Sequence, residues 1–185
     1  MAQRDVAVIV GSLRRGSFTR RCARALMSLA PEGLKLGFVE IGELPLYNQD
    51  LDPDNPPAPW VAFRDQIRPR DAVLFVTPEY NRSVPGVLKN AIDVGSRPYG
   101  QSVWSKKPTA IVSVSPGAIG AFGANHHLRQ SLVFLDMPVL QQPEAYIGQA
   151  HTLFSEAGEV NNEATKTLLS GFMTAFADLI ERVKA

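Results

Sequence analysis

Hydrophobic and polar positions alternate along the chain in blocks that predict strands and helices in turn. Apolar runs rich in β-branched residues predict strands at 6–10, 35–41, 72–76, 109–115 and 139–141. Apolar residues at helical spacing predict helices at 18–30, 58–68, 85–95, 124–136 and 162–184. Strands that alternate with helices indicate a parallel sheet covered on both faces, and therefore an α/β fold.

Length and composition indicate one domain. The chain has 185 residues, of which 45% are hydrophobic and 20% charged, and such a chain is able to bury a core of its own. We find no internal repeat or low-complexity tract in it. The proline cluster at 53–59 predicts a stiff surface loop rather than a linker. We therefore expect residues 1–185 to form a single domain.

Charge and hydropathy argue against several partners. The formal net charge of +1 predicts no nucleic-acid interface, because such an interface needs a strongly basic surface. No apolar run approaches the roughly 20 residues that cross a bilayer, and charged residues interrupt any signal-peptide pattern near the N-terminus. Cys22 is the single cysteine, on the apolar face of the first predicted helix. These features predict a cytoplasmic protein that binds neither membranes nor nucleic acids.

A glycine- and hydroxyl-rich loop follows the first predicted strand and leads into a helix. Unpaired N–H groups and the helix dipole make such a loop suitable for phosphate, and Ser12, Ser17 and Thr19 can add hydroxyl donors. Two of its glycines have P-loop spacing, but Ser17 stands where the lysine should be, and the fingerprint G-x-G-x-x-G is absent. The loop therefore suits a single phosphate without a metal. An ordinary turn that caps the helix is the alternative.

Two more loops follow the third and fourth predicted strands. In the first, residues 79–82 place a carboxylate, a phenol, an amide and a guanidinium within four positions. Open α/β sheets build ligand sites at the carboxyl ends of strands, so this loop is a candidate site. A turn that caps the next helix through Asn81 or Ser83 is the alternative. The other loop, at 113–120, has glycines and free amides that could bind a ligand or form a mobile connection.

Three segments together resemble the NADPH-dependent FMN reductase family, and within it the soluble chromate- and quinone-reducing flavoproteins. They are GSLRRGSF at 11–18, PEYNRSVPGVLKNAID at 78–93 and HLRQSLVFLD at 127–136. The sequence departs from the usual family pattern at three positions. Gly123 replaces an arginine, Arg82 replaces a tyrosine, and Thr19 replaces an asparagine or serine.

The resemblance implies a fold and an activity. The fold would be a flavodoxin-like three-layer sandwich with a five-stranded parallel sheet of order 2-1-3-4-5, and FMN would bind non-covalently at the switch point. NADPH or NADH would pass hydride to the FMN and leave the site. A quinone or a metal oxyanion such as chromate would then bind in place of the nicotinamide and be reduced. FMN itself carries this chemistry, so no catalytic side chain is implied, and we expect no metal site. Family members commonly form a homodimer or homotetramer.

The resemblance also assigns the contacts to FMN. The first loop would hold the FMN phosphate, the second would line the flavin edge mostly through backbone groups, and the third would reach the pyrimidine side of the ring. The implied cofactor-binding residues are Ser12, Leu13, Arg14, Arg15, Gly16, Ser17, Phe18, Thr19, Pro78, Glu79, Tyr80, Asn81, Arg82, Ser115 and Gly117.

Two other classes of protein stay open at this point. A flavodoxin-type FMN electron carrier would not turn over NAD(P)H by itself, and such carriers are usually strongly acidic, unlike this chain. A nucleotide-binding regulatory module would have no redox turnover. Flavin absorbance separates the module from the other two classes, and NADPH consumption with a quinone separates the enzyme from the carrier.

Overall fold

Five parallel strands form the central sheet of the structure, a computed structural model that describes residues 3–184. The strands are β1 (Arg4–Val10), β2 (Leu34–Phe38), β3 (Ala72–Thr77), β4 (Thr109–Val114) and β5 (Ala145–Ile147). All neighbouring pairs are parallel, and the order is β2-β1-β3-β4-β5. The flavodoxin-like order implied by the resemblance is thus confirmed.

Helices cover both faces of this sheet. They are α1 (Phe18–Ser28), α2 (Ala58–Ile67), α3 (Gly86–Gly95), α4 (Phe122–Phe134), the short α5 (Ala150–Leu153) and α6 (Glu163–Lys184), with a 3-10 turn at Gln49–Leu51. Helices α1 and α6 pack on one face, and α2, α3 and α4 pack on the other. Among the helices of the described residues, none is both long and apolar enough to cross a membrane.

The predicted position of the last strand was wrong. The sequence predicts it at 139–141, whereas the structure places it at Ala145–Ile147. Val139 forms only an isolated bridge to Thr109, at the start of β4. Pro143 lies between this bridge and the paired segment, and proline has no N–H to donate to a ladder. The chain therefore meets β4 twice, and only the second pairing extends into a strand.

The carboxyl ends of β1, β3 and β4 lie side by side. Val10 pairs with Val76, and Thr77 pairs with Ser113. The loops that follow these strands consequently meet at one edge of the sheet. Gly11 allows the first loop to lie close to the end of β3, because a Cβ atom there would lie only 3.1 Å from Thr77 Oγ1 and 3.2 Å from Pro78 Cδ.

A buried ion pair ties the proline-rich loop after β2 to the helices. Arg64 on α2 donates from Nη1 and Nη2 to the two carboxylate oxygens of Asp52 at 2.7 and 2.9 Å, and from Nε to the Val94 carbonyl at 2.9 Å. Arg64 and Asp52 are each only 5% exposed. The Tyr47 hydroxyl donates to Asp52 Oδ2 at 3.1 Å, and burial and this bond raise the pKa of Tyr47. The loop is therefore held by buried polar contacts as well as stiffened by prolines.

Cys22 lies on the inner face of α1 and is fully buried against the sheet. Burial raises the pKa of its thiol far above the usual value, because an apolar environment disfavours the thiolate. Cys22 is therefore a core residue, as its place on the apolar face of the helix predicts.

Candidate functional site

A cleft of about 240 Å³ at the carboxyl edge of the sheet is lined by residues from all three candidate loops. A second cleft, of about 370 Å³, shares Arg14 and Tyr80 with it and extends towards the start of α3. The predicted binding residues that line the first cleft are Ser12, Arg14, Ser17, Phe18, Thr19, Pro78, Glu79, Tyr80 and Ser115. The structure thus brings together most of the residues that the sequence predicts, from segments about 100 positions apart.

The other predicted residues lie around this cleft. Leu13 lines the second cleft, whereas Arg15 and Gly16 line a separate one on the outer side of α1. Asn81 and Arg82 form the outer end of the 79–82 turn, and Gly117 lies two residues beyond Ser115. Among the residues that the described clefts contain, those missed by the sequence prediction are Gly11, Pro85, Gly86, Val87, Val114 and Pro116. All six lie within the segments 11–18, 78–93 and 113–120 that the sequence analysis identifies, and this was the signal that could have identified them.

The start of α1 leaves donors available for an anion. Ser17 is the N-cap, and its Oγ accepts a bond from the Arg20 N–H at 3.3 Å. Ser17 and Thr19 also share a hydrogen bond between their hydroxyls. Since only one hydroxyl can donate in that bond, the other O–H can point into the cleft. In the described chain, the N–H groups of Phe18 and Thr19 have no acceptor, as expected for a first helical turn. Ser17 is thus a helix cap and a cleft residue at once.

Arg14 is the arginine that lines the cleft, and it forms no ion pair with a carboxylate among residues 3–184. Its neighbours on α1 are engaged elsewhere. Arg20 forms an ion pair with Glu40, and Arg21 lies 3.8 Å from a carboxylate oxygen of Glu156. Arg14 therefore supplies positive charge at the cleft, next to the N-terminus of α1, which is the positive end of that helix dipole.

The 79–82 segment ends in a tight turn. Tyr80 and Ser83 exchange two backbone hydrogen bonds, at 3.1 and 3.0 Å, around Asn81 and Arg82. Both central residues have a positive φ, of 50° and 64°, which is the conformation of a type I′ turn. The alternative in which Asn81 or Ser83 caps α3 is wrong, because the N-cap of α3 is Pro85 and no side chain bonds there.

The loop after β4 is fastened at several points. The Ser115 hydroxyl donates to the Gly117 carbonyl at 2.9 Å, and Ser113 Oγ donates to the Gly120 carbonyl at 2.7 Å. Asn125 on α4 is buried and donates to Ser113 Oγ at 3.2 Å. Gly120 has a positive φ and packs directly on the backbone of Tyr146. These bonds favour an ordered loop that lines the cleft over the alternative of a mobile connection.

Comparison with known proteins adds an independent finding. The sequence model of the NADPH-dependent FMN reductase family matches residues 4–152. A quinone reductase of Pseudomonas putida (strain KT2440) is 64% identical over 181 residues, which cover 98% of this chain and 97% of that protein. A 2-hydroxy-1,4-benzoquinone reductase of Burkholderia sp is 51% identical and covers 93% of both chains. FerB, a flavoenzyme NAD(P)H:(acceptor) oxidoreductase from Paracoccus denitrificans, superposes with a TM-score of 0.91 at 44% identity, over 97% of this chain and 98% of that chain.

Proposed function

Because the chain belongs to the NADPH-dependent FMN reductase family, we propose that it oxidises NAD(P)H through bound FMN and reduces quinones and metal oxyanions such as chromate. The activity class, an NAD(P)H-dependent FMN or quinone reductase, follows from the family and from relatives of high identity. Our proposal extends this class to the oxyanion acceptors and to the residues that hold the cofactor.

The phosphate cradle at the start of α1 carries the proposal. Arg14, Ser17, Phe18 and Thr19 line one cleft. There the free N–H groups of Phe18 and Thr19, one hydroxyl of the Ser17 and Thr19 pair and the Arg14 guanidinium would bind the phosphate. A dianionic phosphate monoester fits this donor set, because it accepts several hydrogen bonds and favours the positive end of a helix dipole. Among residues 3–184, the lining of the cleft contains one cradle of this kind, which suits the single phosphate of FMN better than the pyrophosphate of FAD.

Residues 79–82 and the loop at 115–117 would hold the flavin ring. In the turn, the N–H groups of Tyr80 and Ser83 are used internally, while those of Asn81 and Arg82 have no acceptor in the described chain. When bound, FMN supplies the redox chemistry, taking hydride from NAD(P)H and giving electrons to the acceptor. The protein binds and orients the reactants. The Gly117 N–H has no acceptor among residues 3–184 and would stabilise negative charge at the pyrimidine side.

We expect the purified protein to contain non-covalent FMN and to oxidise NADPH or NADH when 1,4-benzoquinone is added. Absorbance spectra, acid release of the flavin and chromatography identify the cofactor. Consumption of the reduced nicotinamide, followed at its absorbance band, measures turnover. Release of FAD, or a flavin that stays attached, would contradict the proposed cradle. A flavin that NAD(P)H does not reduce would instead support the electron-carrier alternative.

Arg82→Ala is expected to raise the KM for chromate several-fold and to change the KM for a neutral quinone by less than about twofold. The Arg82 side chain is 73% exposed at the outer end of the turn, so it can attract anions approaching the cleft. Salt screens such attraction, and the difference should shrink at high ionic strength. Steady-state kinetics with both acceptors at low and high salt measure this effect.

Lys166→Ala on the remote helix α6 is the matched control, because it also removes one exposed positive charge. It should change neither KM. Equal effects of Arg82→Ala on the two acceptors, or no dependence on salt, would show that Arg82 does not attract anions to the site.

Assembly and cellular location stay predictions. We propose a homodimer or homotetramer in the cytoplasm, formed by a single domain over residues 1–185. Two departures from the family pattern, Arg82 and Gly123, lie against each other, because a Cβ atom at Gly123 would be 2.8 Å from the Arg82 carbonyl oxygen. Sedimentation of the purified protein gives the number of subunits.

A further inference from the structure

We infer that Glu79 is a positioning residue, whose carboxylate caps α4 and thereby fixes the turn at 80–83 beside the cleft. Its effect on cofactor binding rests on the proposed function, while the cap itself concerns this chain alone. In this role Glu79 acts on the ligand through the backbone of the turn, and its side chain points to the helix.

Helix α4 depends on a cap from another segment. Its N-cap residue, Ala121, is in the left-handed conformation and offers no side-chain bond. Glu79 Oε2 accepts a hydrogen bond from the Ala124 N–H at 3.0 Å, in the first turn of this helix. The Glu79 side chain is only 13% exposed. A carboxylate at this position satisfies an unpaired donor and interacts favourably with the helix dipole.

Two more contacts hold the turn on the same helix. His127 Nδ1 and Ser83 Oγ form a hydrogen bond at 3.0 Å. At Gly123, a Cβ atom would lie 2.8 Å from the Arg82 carbonyl oxygen and 3.0 Å from Glu79 Oε2. Residue 123 must therefore lack a side chain for the turn to lie this close to α4. The start of α4, residues 122–127, thus forms a platform against which the turn at 80–83 packs.

The second carboxylate oxygen of Glu79 is engaged as well. Arg82 Nη1 donates to Glu79 Oε1 at 3.3 Å, so the carboxylate joins α4 to the outer end of the turn. Asn81 and Arg82 both have a positive φ, and such residues keep that conformation only where the surrounding structure holds them. We assign this holding role to the Ala124–Glu79 bond and to the platform, because the Arg82 side chain is 73% exposed and such an exposed ion pair contributes little.

Two substitutions at Glu79 separate the effect of the hydrogen-bond acceptor from the effect of the negative charge. Glu79→Gln keeps an oxygen that can accept from Ala124, whereas Glu79→Ala removes the acceptor. In the full-length protein as purified, Glu79→Ala should speed hydrogen exchange across 122–127 about tenfold and raise the Kd for FMN about tenfold, as loss of a charge-assisted bond implies. Glu79→Gln should stay within about threefold of wild type in both measurements. Glu163→Ala, which removes an exposed carboxylate from the first turn of α6, is the control.

Two glycines give a second test. Gly123→Ala should raise the Kd for FMN about tenfold, because the new methyl group pushes the turn away. Gly171→Ala places the same methyl group in α6, where nothing lies within 4 Å, and should leave this Kd unchanged.

Each outcome decides the inference. If Glu79→Gln is as impaired as Glu79→Ala in both measurements, the acceptor oxygen for the Ala124 N–H does not fix the turn, and the inference is overturned. If exchange changes while FMN affinity does not, the cap exists but does not position the turn, and the inference also fails. If wild type binds no FMN, the proposed function fails, whereas hydrogen exchange still decides whether Glu79 caps α4.

Discussion

The double variant Arg14→Ala/Ser17→Ala is expected to bind FMN roughly 100-fold more weakly than wild type. A hydrogen bond to a charged group contributes about 1.5–3 kcal/mol and a neutral hydroxyl bond about 1 kcal/mol, and each 1.4 kcal/mol is tenfold in affinity. Both residues line the cleft. Arg14 forms no ion pair with a carboxylate among residues 3–184, so its guanidinium is available for the phosphate. Titration of the flavin-free protein with FMN, followed by fluorescence quenching, measures the effect.

Two controls isolate the phosphate contacts. Arg24→Ala removes the same charge from the outer side of α1, where Arg24 contacts the Glu156 carbonyl, and it should leave FMN affinity unchanged. Ser17 also caps α1, so its loss should lower stability by about 1 kcal/mol, which thermal unfolding without FMN reports separately. An unchanged FMN affinity in the double variant would move the phosphate to another part of the cleft.

Asp52→Ala is expected to lower the free energy of unfolding by about 3–5 kcal/mol, because it leaves the Arg64 guanidinium buried without its partner. The Tyr47 hydroxyl loses its acceptor in the same variant. Denaturant unfolding, with the midpoint and slope both fitted, measures the loss.

Asp93→Ala is the matched control for the ion pair. It breaks the Lys89–Asp93 pair on α3, whose side chains are 50% and 43% exposed, and should cost only about 0.5 kcal/mol. A similarly small loss in Asp52→Ala would mean that water reaches Arg64 once the carboxylate is gone. The contrast tests whether burial makes the loss of an aspartate from an ion pair costly.

Local patterns predicted the parts of the fold that are locally determined. β1, β3 and β4 are buried on both faces and appear in the sequence as continuous apolar runs. The last strand has no such run. Val139 is apolar and β-branched, but it forms one bridge, and pairing resumes only beyond Pro143. The strand order came from the resemblance, because periodicity carries no information on which strands are neighbours.

The site was predicted at the level of loops rather than of side-chain directions. Arg14 and Arg15 are adjacent and equivalent in the sequence, yet they line different clefts. The direction of each side chain depends on backbone angles within the loop, which composition does not reveal. The cap from Glu79 to Ala124 and the pair of Asp52 with Arg64 were missed for a related reason. Each joins residues that no helical or strand period relates.

The burial of Cys22 has a chemical consequence for a protein that reduces quinones. Quinones are Michael acceptors that arylate accessible cysteine thiolates, and the thiolate is the reactive form. Cys22 is the single thiol of the chain, it is fully buried, and its raised pKa keeps it protonated. An electrophilic quinone therefore finds no accessible thiol on the folded chain, and arylation of Cys22 would first require local unfolding of α1.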